Sequence, residues 1–522
     1  MSTRLLSSLS SVLSSPSLPF SLISLFVLLV LVLHLWRRSG GSSRARGVPA
    51  LPSVPVLGSL PGRCCGAAPS PALHTDLQKV GSIPKPLTLF IFIMFLGPHF
   101  TLVVNSYDLA KEVLLTRGRD FAGRPKMVLP VMQYTLRTAD PRGKDIAFCD
   151  YSALWKSHRR LVHSALSLFG EGGRAVHVEK VYLCNDFKPV CLSSAFDPSA
   201  AVTRAVTNVV CTLVFSATYR RDDAELKEVI DYNNGIVETI ARGGLVDLFP
   251  WLQRFPSRSL TKLKQCITVR DRLLQRKLDQ HKASLSDGDG GIDPRDLLEA
   301  LLRGQEGQKS EVISDDHVLM TAAETFGAGV ETTSTTLLWI IAYMLHHPEV
   351  QARAQRELEE QVGLERPVRL SDRTRLPYVE AVIQEGLRIR PVSPVLIPHT
   401  ALTRTSLGGH PVQPGTRVLV NMWALHHNPT DWPQPDLFKP ERFLDGRGGR
   451  VSPSCFLPFG AGPRVCVGES LARLELFLFL SSLLQRISFS LPPAGPVPDL
   501  RGRLGVVLQP PPYLVVATPR HT

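Results

Sequence analysis

The stretch with the clearest chemical potential is residues 459–468, Phe-Gly-Ala-Gly-Pro-Arg-Val-Cys-Val-Gly. Its glycines permit tight backbone turns that a side chain would block. They leave Cys466 at the entrance to a helical pattern that starts near Gly468. The positive end of a helix lowers the pKa of a nearby thiol and favours the thiolate, the form that binds metals. Arg464 adds a cation suited to a carboxylate partner. Nine cysteines occur, at positions 64, 65, 149, 184, 191, 211, 266, 455 and 466. The odd count, irregular spacing and lack of a C-x-x-C pair argue against a disulfide framework and against a thiolate zinc site. Apart from Cys466, the cysteines read as small buried hydrophobes.

Three other groupings stand out. Ala328-Gly-Val-Glu-Thr-Thr lies inside a long helical pattern. Gly329 costs such a helix about 1 kcal/mol relative to Ala, and Thr is a poor helix former. A helix carries such residues where something must approach its backbone, although a polar patch on an amphipathic helix reads equally well from these residues alone. Glu385 and Arg388 are i, i+3 neighbours, by themselves an ordinary ion pair. Trp155 and Arg159 stand one turn apart. The doublets His346-His347 and His426-His427 cannot each share a helix face, so they are expected at helix or loop ends without a metal.

These groups need elements to hold them. Helical patterns run over roughly 222–242, 257–282, 294–304, 314–346, 348–362, 376–390 and 467–485. Strand-like pieces are short, such as those beginning at Arg417 and Tyr513. Loops rich in Gly and Pro recur at 404–416 and 445–454, and 283–294 reads as a flexible loop. The expected body is mainly α with a minor sheet, without internal repeats.

The chain has 522 residues, 44% of them apolar, and a formal net charge of +13. Such a charge favours acidic partners or anionic lipid. Nucleic acid is disfavoured, because no zinc-finger spacing, RNA-binding signature or basic stripe interleaved with aromatics occurs. Residues 18–36 are almost wholly apolar, just long enough to span a bilayer. Arg37, Arg38, Arg44 and Arg46 follow, against Arg4 before them. This asymmetry keeps the bulk of the chain on the cytosolic side. The expected organisation is an N-terminal transmembrane anchor helix over 1–38, a basic and proline-rich hinge over 39–62, and a catalytic domain over 63–522.

The pattern F-G-x-G-x-R-x-C-x-G at 459–468 resembles the cysteine loop of the cytochromes P-450. A chance match is on the order of one in a hundred thousand from residue frequencies. The E-x-x-R pair, the A-G-x-E-T-T stretch and the W-x-x-x-R helix stand in the same order and spacing, so the resemblance covers nearly the whole chain. It implies the cytochrome P-450 fold and haem b (iron protoporphyrin IX) bound through Cys466 as the iron ligand. It implies that Thr332 and Glu331 help deliver protons to bound dioxygen, and that Arg442 joins Glu385 and Arg388 in a structural triad. It places Phe459, Arg464, Trp155, Arg159, Arg124 and His399 around the cofactor. Electrons would come from NADPH through the membrane-bound cytochrome P-450 reductase, at the endoplasmic reticulum membrane.

Within the family, long stretches resemble the vertebrate steroid 17α-hydroxylase/17,20-lyase branch. Among them are Asp120-Phe-Ala-Gly-Arg-Pro, Tyr232-Asn-Asn-Gly-Ile and Asn421-Met-Trp-Ala-Leu-His-His-Asn. The resemblance implies C17 hydroxylation of progesterone or pregnenolone, with cleavage of the C17–C20 bond as a further step. It implies Asn233 as a polar steroid anchor and Ala328, Val392, Ile397 and Val506 as apolar walls. A rigid hydrocarbon needs such walls and one or two anchors. Gln384 stands where close relatives carry Arg, which argues against help from cytochrome b5, and Arg373 is expected on a basic face for the reductase. The alternatives are another regiochemistry such as C21, a xenobiotic substrate, or a non-catalytic haem- or steroid-binding relative. Three stretches depart from the family. Residues 82–99 read as a buried strand, a membrane-dipping segment or a gene-model error. Residues 181–196 break an expected helix at Pro189. Residues 128–142 wander in the loop over the substrate.

Overall fold

A computed structural model of the chain describes residues 91–96, 99–125, 144–169, 194–220, 222–241, 257–287, 293–306, 313–493 and 495–520. The expected anchor and hinge, residues 128–142, and all of 181–196 but its last three residues lie outside them. Among the described residues, no helix is long and apolar enough to cross a membrane.

The centre of the body is α7, Asp315–His346. Ser314 and His317 form a reciprocal capping box at its start, satisfying N–H groups that the helix itself cannot. Its second half, with Trp339, Ile340, Ile341 and Met344, is buried on all sides. A helix apolar all round belongs in the core. Its neighbours include α3 (Ser199–Phe215), α9 (Pro377–Ile389) and α11 (Glu469–Arg486). Gly386 of α9 permits the close approach to α7: a Cβ there would lie 2.5 Å from Cγ1 of Ile340. α2 (Ala153–Ser167) buries Trp155, His158, Leu161, Val162, Ala165 and Leu166, the i, i+3, i+4 stripe of an amphipathic helix. Ser152 caps it by accepting the Trp155 N–H at 3.1 Å.

The expected helices are present with boundaries shifted by a few residues, for example Ala224–Ala241, Arg258–Ser286 and Pro348–Gln361. α3 was not among the patterns. Its Val and Thr content favours strand by propensity, and burial against α7 overrides that preference.

The principal sheet has the order β1 (Ile91–Leu96), β2 (His99–Val104), β6 (Arg417–Val420), β3 (His399–Thr400). β1 and β2 pair antiparallel, with Phe92 opposite Val103, and β2 runs parallel to β6. The atypical apolar run therefore contains a strand over 91–96. Phe92, Ile93 and Met94 are buried, which explains why polar–apolar alternation is missing. Phe196, at the end of the second atypical stretch, makes an isolated bridge to Val515.

Candidate active site

The loop before α11 is built around two glycines with positive φ, Gly460 at 71° and Gly462 at 70°. The Cys466 N–H donates to the Phe459 carbonyl at 2.9 Å and closes the loop. Gly462 has no room for a side chain: a Cβ would lie 1.8 Å from the carbonyl oxygen of Leu114. The loop is thus pressed against the π-helical turn Glu112–Thr116. Cys466 is exposed, but to a cavity rather than to bulk water, and protein encloses its other sides. Burial pushes the free thiol above its usual pKa, while the Gly468 N–H and Arg159 pull it down. The helix-end effect expected from sequence therefore operates but is outweighed by burial. A coordinated metal reverses that balance, because a thiol bound to it is deprotonated outright.

Three guanidiniums border the same cavity: Arg124, Arg159 and Arg464. Arg124 Nε donates to the Ala147 carbonyl at 2.8 Å and its NH1 to those of Ile397 and Pro398 at 3.0 Å. Arg464 Nε donates to the Ala122 carbonyl at 2.8 Å, NH1 to that of Ile146 at 3.2 Å, and NH2 to that of Cys149. Arg159 donates to the Val465 carbonyl. Burial and then mutual repulsion lower Arg124 to about 9 and Arg464 to about 10, against opposition from Asp145 and Asp150. Repelling cations held in place by carbonyl groups form a site for carboxylate groups. Trp155 lies beneath Arg464, whose Cζ is 4.1 Å from the ring centroid. Its indole N–H is committed to the Ile146 carbonyl at 2.9 Å. His399 borders the cavity, with Nδ1 bonded to the Phe121 carbonyl at 2.9 Å. Burial, then Arg124, lowers its pKa to about 3, and a nearby anion would raise it again.

The cavity has a volume of about 330 Å³. Ala328, Val392, Leu396, Ile397, Val210 and Leu213 give it apolar walls, and Phe459 and Thr332 also border it. The Thr332 hydroxyl donates to the Ala328 carbonyl at 2.7 Å. Glu331 is not among the lining residues. Its carboxylate is buried and accepts from Gln509, and burial raises its pKa. Asn233 is buried on α4 (Ala224–Ala241), with Oδ1 3.9 Å from the place of a Cβ on Gly327. Neither Asn233 nor that glycine lines the cavity. Val506 is 45% exposed at the tip of the turn between Arg503–Leu504 and Leu508–Gln509, away from the lining. A sulfur and three guanidiniums on one cavity, with apolar walls opposite, fit an iron macrocycle with acidic arms and a flat apolar substrate.

Behind the loop, the Arg388–Glu385 pair is fully buried, with N–O distances of 2.7 and 2.8 Å. Arg442 Nε lies 3.4 Å from the same carboxylate. Arg388 NH1 also donates to the His426 carbonyl at 2.8 Å, and His426 Nε2 accepts the Leu457 N–H just before the cysteine loop. The pair is therefore wired to that loop. Both His doublets lie at helix ends. Arg373 is engaged bidentately by Glu380 at 2.8 and 3.0 Å, and Gln384 is buried.

Sequence reasoning missed two carboxylates that border the cavity, the half-buried Glu324 and the buried Glu475. Glu324 accepts the N–H groups of Ile146 and Ala147 at 2.8 and 3.1 Å. Glu475 accepts the Thr333 hydroxyl at 3.3 Å. Acidic residues in helices usually face solvent, so only an apolar neighbourhood on the same helix face hints at them.

A model of the family "Cytochrome P450" matches residues 58–517. The chain is 47% identical to "Steroid 17-alpha-hydroxylase/17,20 lyase" of Oryzias latipes, over 96% of this chain and 97% of that protein. It is 45% identical to the protein of the same name from Gallus gallus, over 93% and 96%. A solved zebra fish cytochrome P450 structure with progesterone is similar at 54% identity and a TM-score of 0.76, covering 86% of this chain and 99% of that one. A second zebra fish structure, with abiraterone, gives 52% identity and a TM-score of 0.73 over 86% and 100%.

Proposed function

This chain belongs to the cytochrome P450 family, and from that premise we propose that it is a haem-thiolate monooxygenase that hydroxylates C17 of progestogen steroids. The observation that carries the reading is the placement of Cys466 on a cavity bordered by the buried Arg124, the half-buried Arg159 and Arg464, and Ala328 and Thr332 of α7. Similarity over almost the whole chain to 17α-hydroxylase/17,20-lyases points to the substrate.

Cys466 would hold the iron of haem b, and Arg124, Arg159 and Arg464 would hold its propionates, with His399 beside them. Trp155 backs the arginines. When bound, the haem would supply an iron centre at which dioxygen, two electrons and two protons could yield one oxygen atom inserted into a C–H bond and one water. The protein's own residues orient the substrate and manage protons. The apolar walls at Ala328, Val392 and Ile397 exclude water and fix the steroid's flat body, so that few carbons can face the reacting centre. Thr332 presents a hydroxyl at the cavity wall, and burial raises the pKa of Glu331, one residue away, against the pull of Gln509. Thr332 would pass protons into the cavity, with Glu331 behind the wall. Asn233, buried on α4, is the polar side chain proposed to anchor a steroid oxygen. Glu385, Arg388 and Arg442 fasten the cysteine loop from behind.

Electrons come from NADPH through the membrane-bound reductase. An apolar anchor over 1–38 and a hinge over 39–62 hold the catalytic domain on the cytosolic face of the endoplasmic reticulum. Reduced protein treated with carbon monoxide should show the far-red-shifted Soret band of a thiolate ligand. Incubation with progesterone and reductase should yield 17α-hydroxyprogesterone, and exclusive formation of the C21-hydroxylated product would refute the assignment. C17–C20 cleavage without cytochrome b5 is assayed in the same incubation.

A further inference from the structure

Glu324 is half-buried on α7, one turn before Ala328, at the cavity wall, and the proposed mechanism does not use it. Its two oxygens accept consecutive peptide N–H groups, Oε2 from Ile146 at 2.8 Å and Oε1 from Ala147 at 3.1 Å. The carbonyls of those same two residues face the other way, onto the arginine cluster. The Ile146 carbonyl accepts from Arg464 NH1 at 3.2 Å and from the Trp155 indole at 2.9 Å. The Ala147 carbonyl accepts from Arg124 Nε at 2.8 Å. The Ala147 N–H and the Ile146 carbonyl belong to one peptide group, so a single carboxylate on α7 is tied through it to Arg464 and the Trp155 indole. The Ala147 carbonyl belongs to the next peptide group, whose Phe148 N–H is held by Asp145. The remainder of this segment is tied down independently. Lys144 pairs with Asp316, Asp145 accepts the Phe148 and Cys149 N–H groups, and Asp150 accepts that of Arg124.

We propose that Glu324 is a positioning residue for the cofactor's propionates, acting through the Ile146–Ala147 peptide group on Arg464. The proposal rests on the haem reading above. Hydrogen bonds through a peptide unit polarise its far end, so a carboxylate accepting at N–H strengthens the carbonyl as an acceptor. Loss of the carboxylate weakens the Ile146 carbonyl as an acceptor and frees its peptide group to turn. Arg464 then loses the aim that this carbonyl gives it, while the Cys466 loop stays closed by its own bond to the Phe459 carbonyl. Because Glu324 also borders the cavity where substrate binds, it couples substrate contacts to the cofactor's edge.

The test uses full-length holoenzyme carrying Glu324→Ala or Glu324→Gln. Resonance Raman should show the haem propionate bending band shifted in Glu324→Ala and shifted less in Glu324→Gln, whose single amide oxygen can still accept one N–H. The iron–sulfur stretching band and the carbon-monoxide Soret position should stay at the wild-type values. Haem release to apomyoglobin should accelerate about 10- to 100-fold in Glu324→Ala, the usual cost of losing a partner that orients a ligand. An unchanged propionate band with wild-type release would overturn the proposal. So would an equal disturbance of the iron–sulfur band, which marks a general loss of structure. If Glu324→Ala retains no haem, the same two readings on Glu324→Gln decide. Wild-type protein lacking a thiolate-type carbon-monoxide spectrum would instead sink the haem reading itself.

Discussion

Replacing the glycines of the cysteine loop one at a time should give three different outcomes, fixed by backbone geometry. At Gly468, φ is −94° and no atom lies within 4 Å of a new Cβ. Ala there is near neutral, within about 0.5 kcal/mol. At Gly460, φ is 71° but the nearest atom to a Cβ is Leu396 Cδ1 at 3.6 Å, an ordinary contact. Ala there carries only the left-handed backbone penalty, about 1–2 kcal/mol. At Gly462 the same penalty applies, and the Cβ would also stand 1.8 Å from the Leu114 carbonyl oxygen. Both partners are backbone, so neither can swing aside, and the loop must move by more than about 1 Å to reach van der Waals distance. A displacement of that size at a catalytic ligand costs about 100-fold in rate. The assay is the carbon-monoxide difference spectrum of each variant, read as the fraction showing the thiolate band, with 17α-hydroxylation of progesterone alongside. The expected order of retained thiolate form is Gly468→Ala, then Gly460→Ala, then Gly462→Ala, the last largely devoid of it. A Gly462→Ala protein with a full thiolate band and wild-type turnover would refute the reasoning, because no close packing of the loop on residue 114 could then exist.

Further outcomes rest on other parts of the site. Cys466→Ala should abolish the red-shifted carbon-monoxide band and steroid hydroxylation together, measured on the same sample. Arg388→Ala leaves the buried Glu385 carboxylate short of its main cation and frees the His426 carbonyl. It should cost about 3–5 kcal/mol, seen as loss of haem-containing protein on mild heating. Glu475 is pushed up to about 8 by burial, against a small opposing pull from Thr333. The folded state then holds a proton that the unfolded state releases near its ordinary carboxylate pKa, so stability falls as pH rises between about 4.5 and 8. Glu475→Gln should flatten the decline in melting temperature over that window. An unchanged slope would show that Glu475 does not titrate so, with Glu324, also at about 8, leaving a residual slope in both proteins.

The sequence alone determined the fold class, the cysteine at the head of a helix, and the central helix with its Gly-Val-Glu-Thr-Thr break. These are local properties, since glycine turns, helix periodicity and motif spacing depend on residues a few positions apart. It also marked Arg124, Arg159 and Arg464 as neighbours through resemblance. Tertiary structure decided what each group faces. It pressed Gly462 onto Leu114, raised the free thiol's pKa against the helix dipole, and turned Glu331 toward Gln509. It set Val506 outside the lining and made a strand of the apolar run at 91–96. It also enclosed Glu324 and Glu475, whose partners lie 178 and 142 residues away along the chain. Burial and long-range pairing set the charge state and direction of a side chain, and neither is written in the residues beside it.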